Sequence, residues 1–250
     1  MREEDICFVT TSLYTKWLDY QSKIISKLFP ASEHIIVDGR KNWPVSWFYW
    51  INLVKNSGKK YFIHLDEDFF IINRDEVLKS IETLENREID LLGTSDGFTH
   101  YRAANPVAIN SFYLVGRVSV LEKFNFENIK FHYTQNKGWI NNYNLCFKDS
   151  YKLDWIYPYP EFSGSNFEIE AEPYYAFYWA MKEQGAKFGY LFPHFDERFK
   201  STNPRISEES EDIGIHMWYL RQWQSDMDIF GLTNQERYNL VEKFIIENLQ

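Results

Sequence analysis

Tyr61-Phe62-Ile63-His64-Leu65-Asp66-Glu67-Asp68-Phe69-Phe70 is the stretch that decides how the chain is read. Five residues of a β-rich apolar run end in three acidic ones, and apolar residues resume at once. Tyr61–Leu65 has the length and composition of a buried strand. Alternate residues of an extended chain point the same way, so Asp66 and Asp68 are expected to share a face while Glu67 turns aside. Two carboxylates on one edge repel each other unless protons or a cation compensate. Mg²⁺ and Mn²⁺ take oxygen ligands and bridge substrate phosphates, and a cation so held neutralises a departing diphosphate. Taken alone, the triplet also looks like a solvated acidic turn.

Outward from it, strands and helices alternate. Ile6–Thr10 reads as a strand, followed by the polar Thr11-Ser12. Trp17, Leu18, Ile24, Ile25 and Leu28 recur at helical spacing until Pro30 stops them. His34–Asp38 is a second strand, broken by Gly39, and a helix follows from about Ser46 to Asn56. Asp75 is expected to cap a helix running to about Glu85. Leu91–Thr94, Asn110–Val115 and Phe188–Phe192 read as strands. Val118–Phe124, Glu172–Gln184 and Gln235–Leu249 read as helices. Glu127–Asn166 is rich in Tyr, Trp, Asn and Lys with little periodicity, and is expected to be an excursion that helps bind substrate.

Strands that are apolar on both sides and joined by helices predict an α/β fold, with a mostly parallel sheet covered on both faces. Ligands of such sheets bind beyond the C-terminal strand ends. Thr10-Thr11-Ser12, Asp38, Asp66-Glu67-Asp68 and Asp96 gather there.

The 250 residues suit one domain. The net charge is −9, with no Lys/Arg cluster. Phosphate contacts dominate nucleic-acid affinity, so such a partner is not expected. No stretch reaches the roughly 18–20 apolar residues of a membrane span. The acidic Met1-Arg2-Glu3-Glu4-Asp5 is unlike a secretory leader, so a cytoplasmic place is expected, with peripheral membrane contact left open. Cys7 and Cys146 have apolar or aromatic neighbours and read as buried thiols. Aromatic residues make up 19%, an excess that suits stacking on sugar rings as well as a core.

The order of elements and the acidic triplet, over roughly residues 5–195, resemble glycosyltransferases of the GT-A fold (family 2-like, bacterial type). In that family an Asp-x-Asp motif binds a divalent metal and the diphosphate of a nucleotide-sugar. The resemblance implies a single domain over 1–250, with a nucleotide-sugar-binding half at 5–125 and an acceptor-binding half at 126–250. It implies Mn²⁺ or Mg²⁺ on Asp66 and Asp68, with a UDP-sugar as donor. It implies nucleotide contacts from Thr10, Thr11 and Asp38, with Glu67 alongside. The polar loop Thr94–Arg102 would line the donor-sugar and acceptor pocket, with Asp96 and Arg102 contributing. Asp96-Gly97 also reads as a tight turn. Inverting members place a catalytic base where Glu172 opens a helix at Pro173, with Glu170 as understudy. The usual Glu-Asp opening of that helix is missing here. Some members add a C-terminal histidine to the metal, for which His216 and His194 are rivals. Arg198, Lys200, Arg205 and Arg221 are expected near the diphosphate, and Ser201–Ile213 is expected to form a closing loop. The acceptor implied is a glycan or lipid-linked molecule of bacterial surface polysaccharide synthesis.

Two other phosphate chemistries fit an Asp-x-Asp after a strand. Haloacid-dehalogenase-type phosphatases usually have Thr or Val where this chain has Phe70. Sugar nucleotidyltransferases carry a Gly-rich basic first loop that is absent here. An inactive glycan-binding paralogue would suit the aromatics but leave the triplet without a purpose.

Overall fold

The computed structural model describes residues 1–40, 45–96, 108–124, 177–178, 181 and 184–248, with side chains from 45 to 48 left aside. The elements follow the expected order in the first half: β1 (Ile6–Ser12), α1 (Lys16–Leu28), β2 (Glu33–Asp38), α2 (Val45–Lys55), β3 (Tyr61–Asp66), β4 (Phe69–Ile71), α3 (Arg74–Asn86) and β5 (Leu91–Ser95). β6 (Ile109–Arg117) and α4 (Val118–Lys123) come next, then β7 (Phe188–Asp196), β8 (Ser201–Arg205) and β9 (Gly214–His216). A small pair, β10 (Asp228–Ile229) and β11 (Leu232–Thr233), leads into α5 (Asn234–Asn248). Among the described residues no helix is long and apolar enough to cross a membrane.

Nine strands form one sheet in the order β2-β1-β3-β6-β5-β7-β8-β9-β4. Its two faces carry separate cores. On one side Cys7, Val9 and Phe62 pack with Trp50 and Val54 of α2 and Leu121 of α4. On the other, Ile6, Phe8, Ile63 and Leu65 pack with Trp17 and Ile24 of α1, Ile81 of α3 and Val241 of α5. Neighbours along β1 thus point to opposite cores, which is why the strand reads as continuously apolar.

The sheet is mixed, not mostly parallel. β1 is parallel to β2 and to β3, and β5 to β7. β6 runs antiparallel between β3 and β5, and the pairs β7–β8, β8–β9 and β4–β9 are antiparallel. Apolar residues on both sides of a strand report that both faces are covered; they carry no information on direction. Other expectations also shift. Asn73, not Asp75, caps α3, its side chain accepting from the amides of Asp75 and Glu76. Asp75 sits in the first turn instead, where its charge suits the helix dipole. The expected closing loop from Ser201 begins as strand β8, whose Ser-Thr-Asn-Pro-Arg sequence has no apolar alternation. The excursion at 127–166 lies outside the described residues. So does most of the helix expected at Glu172–Gln184, of which Phe177, Tyr178 and Met181 are helical.

One connection governs the shape. β3 and β4 are separated by Glu67 and Asp68 alone, so Asp66 and Phe69 lie at most roughly 11 Å apart. In a flat sheet, strands third and ninth in order would stand about 29 Å apart. The sheet therefore curls until its β9–β4 edge closes over the C-terminal end of β3.

β5 and β6 approach closely in the middle of the sheet. A Cβ on Gly93 of β5 would run into the Tyr113 carbonyl oxygen and Ile109 Cγ2 of β6. Backbone cannot give way as a side-chain tip can. Gly93→Ala is expected to lower stability by roughly 3 kcal/mol or more, read as a fall in Tm on the order of 10 °C.

Candidate metal centre at the end of β3

β3 delivers Asp66 at its last position, and the turn to β4 delivers Asp68. β9 pairs antiparallel with β4, setting His216 opposite Phe69. The imidazole Nε2 lies 3.4 Å from Asp68 Oδ1 and 3.9 Å from Asp66 Oδ2. One ligand atom from each of the three residues lies within 4.8 Å of the others. Ligands around one cation with bonds of about 2.0–2.3 Å are separated by up to roughly 4.5 Å. Two carboxylates and an imidazole within that range form a donor set suited to a divalent cation, and the nitrogen suits Mn²⁺ better than Mg²⁺.

The three ligands differ in setting. Asp66 is partly exposed, and Ser111 Oγ donates to its Oδ1 at 3.2 Å. Asp68 and His216 are buried. Phe112 stacks on the His216 ring at 4.2 Å and 16°, and Trp218 packs at 4.3 Å, so the ring is held by aromatic faces. Burial opposes the charge on Asp68, yet the neighbouring His216 and the Tyr238 hydroxyl hold its carboxyl below its usual value.

Glu67 turns away, as the alternation requires. Its carboxylate accepts from Ser12 Oγ (2.9 Å), the Leu13 amide, and the Thr15 amide (2.7 Å) and hydroxyl. Those bonds tie the β1–α1 loop to the Asp66–Phe69 turn, so Glu67 anchors that turn. Gln21, buried on the apolar stripe of α1, donates to the carbonyls of Asp66 (2.7 Å) and Phe69 (2.8 Å). Thr10, expected to meet a ligand, instead donates to Gln21 Oε1 (2.7 Å) and lies 3.0 Å from His34 Nε2.

The other expected contacts divide. Thr11 stands beside Asp66 in register, and among the described residues its buried hydroxyl has no hydrogen-bond partner. Asp38 is at the end of β2 but is gripped by Arg40 at 2.7 and 2.9 Å, so a ligand hydroxyl there competes with a guanidinium. Asp96 is buried and accepts from Asn110 Nδ2. It shares the edge with Asp66. The Tyr178 phenol is pushed well above its usual value by burial and then by those two carboxylates. His194 is not part of the triad. It opposes Asn203 on β8, whereas His216 opposes the adjacent Thr202, and adjacent strand residues face opposite ways. His194 Nδ1 bonds Asp212 at 2.9 Å instead. Arg205, Arg198 and Lys200 pair with Asp212, Asp196 and Glu197. Arg102, Glu170 and Glu172 lie outside the described residues.

No family model matches the chain, and no curated protein matches it. Among solved structures it is similar to A197 from STIV, with 18% identity and a TM-score of 0.40, over 51% of this chain and 70% of that one. It is also similar to a glycosyltransferase involved in the glycosylation of the major capsid of PBCV-1. There the identity is 14% and the TM-score 0.39, over 54% of this chain and 69% of that one. Likeness of this degree assigns neither an activity nor a ligand to this chain.

Gln21 and Tyr238 escaped the sequence reading. Gln21 left a signal: a polar residue in the apolar stripe of Trp17, Leu18, Ile24 and Ile25. Gln21→Leu strips donors from two carbonyls and is expected to cost roughly 2–4 kcal/mol, measured by urea unfolding. Nearby, burial pushes the His34 and His64 imidazoles down to about 4. The unfolded chain takes up these protons near pH 6.5 and the native chain near 4. Stability present above about pH 6.5 is therefore expected to fall as pH drops towards 4. His34→Gln should flatten that decline when urea midpoints are compared across the range.

Proposed function

We propose that this protein is a divalent-cation-dependent glycosyltransferase that moves a sugar from a nucleotide-diphosphate donor, most simply a UDP-sugar, to a glycan or lipid-linked acceptor. The observation that carries the reading is the Asp66–Asp68–His216 triad at the C-terminal end of β3. It is joined there by Thr11, whose buried hydroxyl lacks a partner among the described residues. A divalent cation held by these three residues would still have room to take phosphate oxygens of a donor.

Asp66, Asp68 and His216 would hold Mn²⁺, which would neutralise charge on the departing nucleotide diphosphate. Asp66, the partly exposed ligand, faces the side from which a donor arrives. Asp68 and His216 form the buried side, where preorganised groups lose little to solvent reorganisation. Glu67 and Gln21 keep the turn from relaxing when the two carboxylates repel each other. Thr11 supplies a hydroxyl to the nucleotide, and Asp38 a carboxylate once Arg40 releases it. Glu172 is the proposed base that takes the acceptor proton. The GT-A fold and a role in bacterial surface polysaccharide assembly belong to the same proposal, supported by the resemblance of residues 5–195.

Hydrolysis of UDP-sugars in the absence of acceptor tests the reading. Turnover is expected with Mn²⁺ and not with excess chelator. Asp66→Asn and Asp68→Asn should each lower it by about 100-fold or more, the scale of a group that stabilises transition-state charge. Turnover in both variants equal to that of the wild-type chain would sink the proposal.

A further inference from the structure

The first turn of α5 faces the metal turn from the far end of the sequence. Tyr238 is fully buried, and its hydroxyl oxygen lies 2.9 Å from Asp68 Oδ2 and 3.1 Å from the Trp218 carbonyl oxygen. A phenol has one proton to donate, and the carboxylate is the stronger acceptor. With Oδ2 engaged, Oδ1 is the oxygen left facing His216.

The same turn holds the segment that follows His216. Arg237, also fully buried, donates to the Met217 carbonyl and to those of Phe199 (3.0 Å) and Lys200 (2.7 Å). Asn234 donates to the Tyr219 carbonyl at 3.2 Å. The Met217 and Tyr219 carbonyls thus accept from two side chains at the start of α5, and the Tyr238 oxygen lies beside the Trp218 carbonyl between them. The segment needs such a hold. Trp218 and Tyr219 have φ of 60° and 59°, a left-handed conformation that non-glycine residues keep only when their surroundings impose it. The Met217 amide in turn donates to the Asp68 carbonyl at 3.2 Å, closing a loop from α5 through β9 to the metal turn.

We infer that Tyr238 is a positioning residue of the cation site: its hydroxyl, placed by the first turn of α5, fixes Asp68 with Oδ1 towards His216 and the cation. The inference rests on the metal reading of the triad given above. Outer groups that orient ligands without touching the metal typically set affinity by 10–100-fold. Tyr238 does so from about 170 residues away in sequence, which makes cation affinity depend on one hydroxyl outside the triad.

Mn²⁺ binding to the whole chain, read as free Mn²⁺ by electron paramagnetic resonance, tests it without any turnover. Tyr238→Phe keeps the ring and its packing on Trp17 and removes only the hydroxyl. It is expected to weaken Kd by roughly 10–100-fold. Val241→Ala loosens the same buried face of α5 without touching the triad, and should lower Tm while leaving Kd within about twofold, since its site is not in contact with the ligands. Unchanged Kd in Tyr238→Phe overturns the inference while the metal reading stands. Equal weakening in both variants also overturns it, since helix docking and not the hydroxyl would then be responsible. Wild-type chain that binds no Mn²⁺ removes the metal reading itself, and this inference with it.

Discussion

Everything at this site depends on the step from Asp66 to Phe69. Two residues join a strand in the middle of the sheet to a strand at its edge. Chain connectivity forbids the roughly 29 Å that a flat sheet would demand. The sheet has to curl, and the curl carries β9 to the end of β3. His216 meets the two aspartates because of that closure and for no reason visible near residue 216.

A turn holding two close carboxylates tends to open. Here it is braced from three directions. Glu67 draws four hydrogen bonds from the β1–α1 loop, Gln21 secures the carbonyls on either side, and Tyr238 reaches Asp68 from α5. Each brace comes from a different element of the same core, in which Trp17 packs against Phe70, Trp223 and Tyr238. Burial, hydrogen bonding and site geometry are one structure here: the aromatic core that stabilises the fold also fixes the positions of Asp66, Asp68 and His216.

The division between buried and exposed groups gives the site a direction. His216 is walled in by Phe112 and Trp218 and Asp68 is buried against Tyr238, while Asp66 and Thr11 stand towards the strand ends. The residues expected to surround a diphosphate from the second half are mostly engaged elsewhere. His194 and Arg205 share Asp212 on the opposite face of β7 and β8. That network secures the 206–212 connection, and the sequence alone does not distinguish it from a ligand shell.

The sequence by itself determined the elements around the triplet: strand Tyr61–Leu65, the helices with their apolar stripes, two covered sheet faces, and Glu67 turned away from Asp66 and Asp68. These follow from period and composition, which act over a few residues. Strand direction, the β8 strand and the choice of Asn73 as cap came out differently, because direction and pairing are decided between distant segments. Tertiary structure alone brought His216, and not His194, to the two aspartates, placed Tyr238 on Asp68, and took Thr10 into the support beneath them. Such contacts link residues that are up to about 170 positions apart. They exist because a two-residue connection bends the sheet onto itself, and no local pattern encodes that bend.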